Sequence, residues 1–375
     1  MTWNHPRGLD PLVAASARWQ ALTGVGIEWE GRSLQDFESY PVAELARRYD
    51  LIVIDHPHVG QICAADCLVP LDTVLGRDVL DDVAQGSVGG SYDSYRWAGR
   101  QWALPIDAAA QVMAWVPGRI DTPPTDLAVL AAMIRDGTAL IPLRAPHALM
   151  TLFTLCGLGG ITLDVAADAL FPDDAAAAYD RLLRLTEATE DGAWAMDPID
   201  VFEAMARPTS FVAVSPFIYG YVSYAQPGFR DTGIRFADLP HADLPHAGPH
   251  AGTAPHGSAL GGTGIAVSRF GADPAGAARF AGWIASGAVQ RDLVGTTGGQ
   301  PAHAAAWDSV AVNRIAGDFY TATRRTLDLA WLRPRHDGYM AFQRAASERL
   351  EQALRTHEPA QEAIAALNRL YGESR

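Results

Sequence analysis

Hydrophobic and polar positions in the first hundred residues follow two alternating patterns. Apolar side chains recur at helical spacing across residues 10–22, where Pro11 suits a first helical turn and Gly24 a helix end. Apolar runs of strand length lie at MTW, at residues 24–30 and at residues 51–55, and a second helical run separates the last two. This strand–helix–strand–helix–strand order predicts an α/β fold, with a parallel sheet and helices on both faces.

Each of the three strands runs directly into a polar cluster, namely WNHPRG, EGRS and DHPHVG. Ligands of open α/β sheets bind beyond the carboxyl ends of the strands, so we expect the three clusters to converge on one edge of the sheet. The candidate site residues there are Asn4, His5, Arg7, Arg32, Asp55, His56 and His58.

A similar arrangement recurs further along the chain. The segment TALIPLRAPH is typical of a strand that ends in Arg144 and His147, and we interpret it as the opening of a second α/β domain. In FVAVSPFIYGYVSY, a period of two places Phe217, Tyr219 and Tyr221 on one face of a strand. These aromatic side chains either form a stacking wall for a ligand or pack in the core.

Composition and charge narrow the classes of partner. The 375 residues include 29 basic and 43 acidic residues, which gives a net charge of −14. Nucleic acid and an anionic membrane surface are therefore unexpected partners. Every basic residue is arginine, so a Schiff-base lysine or a phosphate-binding P-loop lysine is excluded. No stretch approaches the roughly 18 apolar residues of a membrane span, and MTWNHPRG has no leader pattern.

The ordered set of segments resembles the family-1 extracellular solute-binding proteins, which are the maltose-binding-protein-like receptors of ABC transporters. The resemblance runs from residue 1 to about residue 370. It rests on the WNHPRG turn, DLIVIDH, CLVPLD, WALPID, LRAPH, VSPFIY, GGTGIAVS and QRDLVGTTGGQPA, in that order. Each segment alone is a weak signal, and their order carries the assignment.

The resemblance implies a type II periplasmic-binding-protein fold, in which two lobes close on a ligand by a hinge motion. Each lobe would be a mainly parallel sheet flanked by helices. Lobe one would take residues 1–107 and 258–305, and lobe two residues 108–257 and 306–375. The expected partners are a small-molecule ligand and an ABC transporter permease, and a monomer is expected. The working place would be the periplasm if a leader was trimmed, or the cytoplasm if Met1 is the native start.

The expected ligand is a small, polar, anionic organic solute such as a sugar acid, a sugar or a hydroxy-carboxylate. Arginine guanidinium groups match carboxylates in bidentate fashion, so Arg7 and Arg32 in one cleft would hold a carboxylate. Otherwise they would be surface arginines paired with acidic residues. The remaining residues expected to face the ligand are His5, Asp55, His56, His58, Asp107, His147, Phe217, Tyr219 and Gly262. Arg333 is a weaker candidate.

Two alternatives stay open. One is a cytoplasmic enzyme on the same fold, in which His56 with Asp55, or His5, would act as acid–base groups on a carboxylate substrate. No familiar catalytic motif is present, which favours a receptor over an enzyme. The other is a metal-responsive module that uses His241, His246, His250 and His256, although their irregular spacing is unlike that of a structural zinc site. We expect no cofactor.

Overall fold

The computed structural model describes residues 1–33, 41–240 and 256–375, and one long strand organises its main sheet. This strand, β6, spans Leu104–Trp115 and is buried along almost its whole length. Its first half pairs with β9, and its second half pairs with β7 and β8. The strands are β1 Thr2–Trp3, β2 Gly31–Arg32, β3 Leu51–Asp55, β4 Arg96–Trp97, β5 Arg100–Gln101, β6 Leu104–Trp115, β7 Val214–Tyr219, β8 Arg235–Ala237 and β9 Leu260–Val267.

Helices cover both faces of this sheet and form most of the second half of the chain. The α-helices are α1 Pro6–Thr23, α2 Val42–Ala46, α3 Val59–Ala65, α4 Arg77–Gly86, α5 Ser91–Ser94, α6 Leu127–Arg135, α7 His147–Leu158, α8 Ala175–Thr186, α9 Pro198–Ala206, α10 Pro274–Ala285, α11 Gly287–Asp292, α12 Ala304–Trp307, α13 Val310–Ile315, α14 Phe319–Asp328, α15 Tyr339–Arg355 and α16 Ala360–Glu373. Short 3-10 turns lie at His56–His58, Leu71–Thr73, Asp191–Ala195, Val222–Ala225 and Val294–Thr296.

The first helix confirms the helix predicted over residues 10–22 and extends it in both directions. The side chain of His5 accepts a hydrogen bond from the backbone N–H of Arg7, and Gly24 ends the helix in the left-handed conformation. The strand predicted over residues 24–30 is wrong, because the ladder next to β1 forms immediately after that segment, at β2. Residues 24–30 are exposed or half-buried, so their apolar side chains did not mark a buried strand.

The strands of the main sheet run antiparallel to their neighbours. β1 and β2 are parallel, but β9 runs antiparallel between β3 and β6, and β7 and β8 also run antiparallel to β6. Parallel sheets were expected from the alternation of strands and helices, which says nothing about a long strand that crosses the molecule. The α/β class holds, and the antiparallel crossing strands bring side chains from distant parts of the chain into one row.

Three groups of buried apolar side chains form the interior. One joins β3, β9 and α10 with the N-terminal strand, and a second is built from α7, α8, α15 and α16. The third lies along the second half of β6, against α9 and α14. The division into lobes at residues 107, 257 and 305 stays a prediction.

Candidate functional site

A row of three polar side chains crosses the middle of the main sheet. Thr263 on β9 pairs with Asp55 at the end of β3 on one side and with Asp107 on β6 on the other. Residues that lie directly opposite each other in an antiparallel ladder point to the same face, so the three side chains lie next to one another. Two carboxylates thus flank one hydroxyl on the same surface of the sheet.

Arg7 neutralises the carboxylate at one end of this row. Its Nε donates to Asp107 Oδ2 at 2.8 Å, its Nη2 donates to the second carboxylate oxygen, and its Nη1 donates to the carbonyl of Gly220 at 2.9 Å. The guanidinium carbon lies 4.5 Å from the centre of the Tyr221 ring. Burial works to lower the pKa of Arg7, but Asp107 overcomes this effect and raises it. Arg7 is therefore charged and paired within the protein.

Arg333 neutralises the other end. Its Nη2 donates to both oxygens of Asp55, at 2.9 and 2.8 Å, and its Nη1 donates to Gln343 Oε1 at 3.1 Å. Its Nε donates to the carbonyl of Leu260 at 3.2 Å. Although burial works to raise the pKa of Asp55, the charge of Arg333 and the neighbouring His56 hold it well below its usual value. The row consequently reads arginine, aspartate, threonine, aspartate, arginine, with no net charge.

Two buried polar atoms of the side chains that line the cavity have no hydrogen-bond partner among the residues that the structure describes. They are the hydroxyl of Thr263 and Nδ1 of His147, and the two residues are only 7% and 4% exposed. Burial lowers the pKa of His147 to about 3, with Arg144 and Arg333 acting in the same direction, so its imidazole is neutral. A buried polar group without a partner costs free energy, and a bound ligand that pairs with it removes that cost.

Aromatic side chains form a wall beside the row. Tyr219 packs so closely on Gly261 that a Cβ atom at that glycine would lie 2.7 Å from the ring. The rings of Tyr219 and His147 meet edge-on at 6.1 Å. Tyr221 and Trp3 complete this wall. The absence of a side chain at Gly261 makes room for the Tyr219 ring, and the aromatic rings give the cavity flat apolar surface.

These groups surround a cavity with about 720 Å³ of empty space, part of which opens to solvent. The lining residues are Trp3, Arg7, Asp55, Ala109, Pro146, His147, Met150, Pro198, Tyr219, Tyr221, Gly261, Gly262, Thr263, Arg333, Met340 and Gln343.

Five of the predicted ligand-facing residues line this cavity. They are Arg7, Asp55, His147, Tyr219 and Gly262. Asp107 lines a smaller adjoining cavity of about 280 Å³, which shares Trp3, Arg7 and Thr263 with the larger one. Of the seven polar residues expected to converge at one sheet edge, only Arg7 and Asp55 line the larger cavity, and the roles of the predicted residues as ligand contacts stay predictions.

Arg32 does not join Arg7 in the cavity. It contacts Tyr49, with Nη2 3.4 Å from the hydroxyl oxygen, and its Nε lies 4.0 Å from the carboxylate of Glu30. The short β2 ladder places Arg32 beside Asn4, which is exposed. The pairing of Arg7 and Arg32 around a ligand carboxylate is wrong for this geometry, because the second arginine of the cavity is Arg333.

His5 lies behind the cavity wall. Its ring caps α1 and packs edge-on against Tyr221 at 4.9 Å. Burial and the nearby charges of Arg7 and Arg230 lower the pKa of His5 to about 4. The histidine thus supports the position of Tyr221 and of the first helix, and it lies outside the cavity lining.

His56 and His58 turn away from the cavity into the short helical turn that follows β3. His56 is completely buried, with its backbone N–H donating to Asp55 Oδ1 at 2.8 Å. Burial, followed by the charge of Arg333, lowers the pKa of His56 to about 4. His58 is buried in the same turn. Strand β3 ends at Asp55 and the helical turn begins at His56, so Asp55 lines the cavity while His56 lies outside its lining.

Phe217 belongs to the core and not to the cavity wall. Its backbone has a φ of 54°, in the left-handed region, and the β6–β7 register shifts at the same place. This irregularity breaks the period of two that placed Phe217, Tyr219 and Tyr221 on one face. The ring of Phe217 packs with α7 and α8, whereas the two tyrosines line the cavity.

Several residues of the site carried little or no signal in the sequence. Trp3, Thr263 and Gln343 lie within a strand or a helix and look like ordinary members of those elements. Arg333, which the sequence offered only as a weaker candidate, lies in the irregular segment between α14 and α15. The one signal that could have found Thr263 is its place in GGTGIAVS, where two glycines mark a close approach of other groups to the strand.

The metal-site alternative finds no support among the described residues, which contain no group of three side chains suited to hold a metal ion. His241, His246 and His250 lie outside the described residues, so that alternative is not tested by the structure. Cys63, Cys67 and Cys156 are free thiols. In the part of the chain that is described, no helix is both long and apolar enough to cross a membrane.

A crossing sheet, flanking helices and a central cavity define the class of type II periplasmic binding proteins. The sequence profile of the bacterial extracellular solute-binding proteins matches residues 14–316, and the chain belongs to this family. None of the curated proteins matches the chain in sequence.

Solved structures agree with this fold over the whole chain. A solute-binding protein from Thermotoga lettingae, bound with α-D-tagatose, superimposes with a TM-score of 0.79 at 14% identity and covers 98% of this chain and 96% of its own. Maltose-bound MalE3 from T. maritima superimposes with a TM-score of 0.77 at 17% sequence identity. It covers 97% of this chain and 95% of its own. A solute-binding protein from Agrobacterium radiobacter in complex with ribitol superimposes with a TM-score of 0.74 at 16% sequence identity. It covers 96% of this chain and 95% of its own.

Proposed function

We propose that this protein binds a neutral, polyhydroxylated small molecule, a sugar or a polyol, in the central cavity and passes it to the permease of an ABC transporter. The observation that carries the proposal is the charge balance of the cavity. Arg7 and Arg333 are each paired with a buried aspartate, and His147 is neutral. The protein would act extracellularly, as its family does.

This balance speaks against the anionic ligand expected from the sequence. A ligand carboxylate in the cavity would meet guanidinium groups whose charges are already matched by Asp55 and Asp107. It would have to leave water with no free cation among the described lining residues to receive it, and desolvating an unpaired charge is costly. A neutral hydroxyl group meets no such penalty, so the sugar or polyol is favoured over the sugar acid.

The remaining groups of the cavity suit such a ligand. The tyrosine rings and Trp3 offer apolar surface, while Thr263 and His147 offer polar atoms that still need a partner. A mostly apolar wall with a few well-placed polar groups is the usual pattern of small-molecule sites. Similar structures hold ribitol, tagatose and maltose, which are neutral and rich in hydroxyl groups.

The enzyme alternative has weaker support. An acid–base residue has to reach its substrate within hydrogen-bond distance. His56 is fully buried outside the cavity lining, and His5 is engaged as a helix cap.

The receptor proposal includes closure of the two lobes around the ligand, with the lobe boundaries given above. It also includes a monomeric state.

Matched ligand pairs test the proposal. Isothermal titration calorimetry of the purified chain would compare ribitol with ribonate, glucose with gluconate, and galactose with galactonate. Within at least one pair we expect the neutral compound to bind at least about tenfold more tightly than its acid, a difference of about 1.4 kcal/mol. Tighter binding of the acids would overturn the neutral-ligand proposal. Product formation, followed by mass spectrometry of the same mixtures, would instead favour the enzyme.

A further inference from the structure

The hydroxyl of Thr263 holds a special position in the cavity. It lies at the centre of the row, with Asp55 on one side and Asp107 on the other, and it lines both the main cavity and the smaller one behind it. Each neighbouring carboxylate has both oxygens engaged by an arginine. The hydroxyl has no partner among the described residues, although Thr263 is more than nine-tenths buried.

A structural role does not account for a threonine at this place. Valine has nearly the same shape, suits a strand equally well, and would leave no buried hydroxyl without a partner. The neighbours Ile265, Ala266 and Val267 on β9 are fully buried and apolar. The unpaired hydroxyl therefore lowers the stability of the unliganded protein. A bound molecule that forms a hydrogen bond with it removes this penalty and binds more tightly.

We infer that Thr263 is a specificity-determining residue that exchanges a hydrogen bond with a hydroxyl group of the ligand. His147 contacts a second hydroxyl from the start of α7. The inference rests on the proposed function, since it requires a ligand that carries hydroxyl groups. A threonine hydroxyl both donates and accepts, so it recognises a neutral hydroxyl and rejects an analogue in which that hydroxyl is missing.

The flanking ion pairs explain why this contact discriminates. Arg7 and Arg333 fix the two carboxylates, so neither aspartate is free to turn towards Thr263 and satisfy it when the ligand lacks the matching group. A deoxy ligand would leave the hydroxyl buried and unpaired in the closed cavity. Such unpaired groups are the basis of strong selection against analogues that lack a hydrogen-bonding group.

The test compares Thr263→Val with Thr263→Ser by calorimetry, using the tightest-binding member of the ligand panel. Thr263→Val is expected to weaken binding by about three- to tenfold, while Thr263→Ser stays within about threefold of the parent. The thermal midpoint of the unliganded valine variant should be equal to or above that of the parent. With the deoxy analogue of that ligand at the matching position, the valine variant should bind at least as tightly as the parent.

A matched control is Ser215→Ala, because Ser215 also has a buried hydroxyl without a partner among the described residues but lies outside the cavity lining. This variant should bind like the parent. Equal affinity of the parent and Thr263→Val for every panel member that binds would overturn the inference, and so would an equal loss in the serine and valine variants. A preference for acids overturns the proposed function separately, and the valine–serine comparison on that acid still decides the role of Thr263.

Discussion

The two ion pairs on either side of Thr263 differ in how deeply they are enclosed. In the Arg7–Asp107 pair the side chains are 5% and 6% exposed, and the third hydrogen bond of the arginine goes to the backbone of Gly220. In the Arg333–Asp55 pair the arginine is 4% exposed but the aspartate is 19% exposed, and Gln343 shares the arginine. Both aspartates mask a positive charge, but only Asp55 does so at the wall of the main cavity.

Because of this difference, we expect the loss of each aspartate to have a different effect. Arg7 and Arg333 both line the main cavity, so the contrast lies in the two aspartates. Loss of the deeper one, Asp107, leaves a buried arginine without its partner, and we expect the damage to fall mainly on stability. Loss of the shallower one exposes positive charge to the ligand, so the change falls on specificity. The difference between the pairs is thus a difference in access to the cavity.

The largest effect is expected from Asp107→Ala. Removing one partner of a buried ion pair leaves an uncompensated charge, which typically costs about 3–5 kcal/mol. We expect a loss of this size in the free energy of unfolding, measured by urea denaturation followed by circular dichroism. Asp191→Ala is the control, since this partner of Arg355 is almost fully exposed and its loss should leave stability unchanged. A loss for Asp107→Ala below about 1 kcal/mol would contradict the deep enclosure of the Arg7 pair.

A second, smaller effect concerns pH on the Arg333 side of the cavity. Burial, with Arg144 and Arg333, lowers the pKa of His147 to about 3, below its value in the unfolded chain. The unfolded state therefore binds the extra proton between about pH 6.5 and pH 3, and this residue's contribution to stability is lost as the pH falls through that window. Between pH 7 and pH 5 its share of the loss is about 2 kcal/mol.

The variant His147→Gln removes this titration and leaves a polar side chain. The unfolding free energy of the parent minus that of the variant should therefore fall by about 2 kcal/mol on going from pH 7 to pH 5. His357→Gln serves as the control, because His357 is exposed and lies outside the cavity. Parallel pH profiles for the parent and His147→Gln would show that the imidazole is not held neutral by its burial.

The sequence supported the fold class because strand and helix periods are local properties. It also placed Asp55 and His147 at the ends of apolar runs, where both face the cavity. It could not give the register that sets Thr263 between two aspartates, since register depends on strands more than 150 residues apart. The strand period likewise predicted Phe217 on the same face as Tyr219 and Tyr221. The left-handed backbone at Phe217 interrupts that period, so its side chain lies in the core and not at the cavity wall.

The smallest expected effect, and the sharpest test of the comparison, is a change in ligand preference in Asp55→Asn. The asparagine keeps the shape of the side chain and removes its charge, so Arg333 turns from a masked cation into one available at the cavity wall. We expect the ratio of acid to neutral affinity, measured by calorimetry on a polyol and its acid, to rise about tenfold. Arg32→Ala, which removes a cation outside the cavity, should leave the ratio unchanged. An unaltered ratio in Asp55→Asn would mean that the ligand does not sense Arg333, and the distinction between a structural and a specificity-setting ion pair would fail.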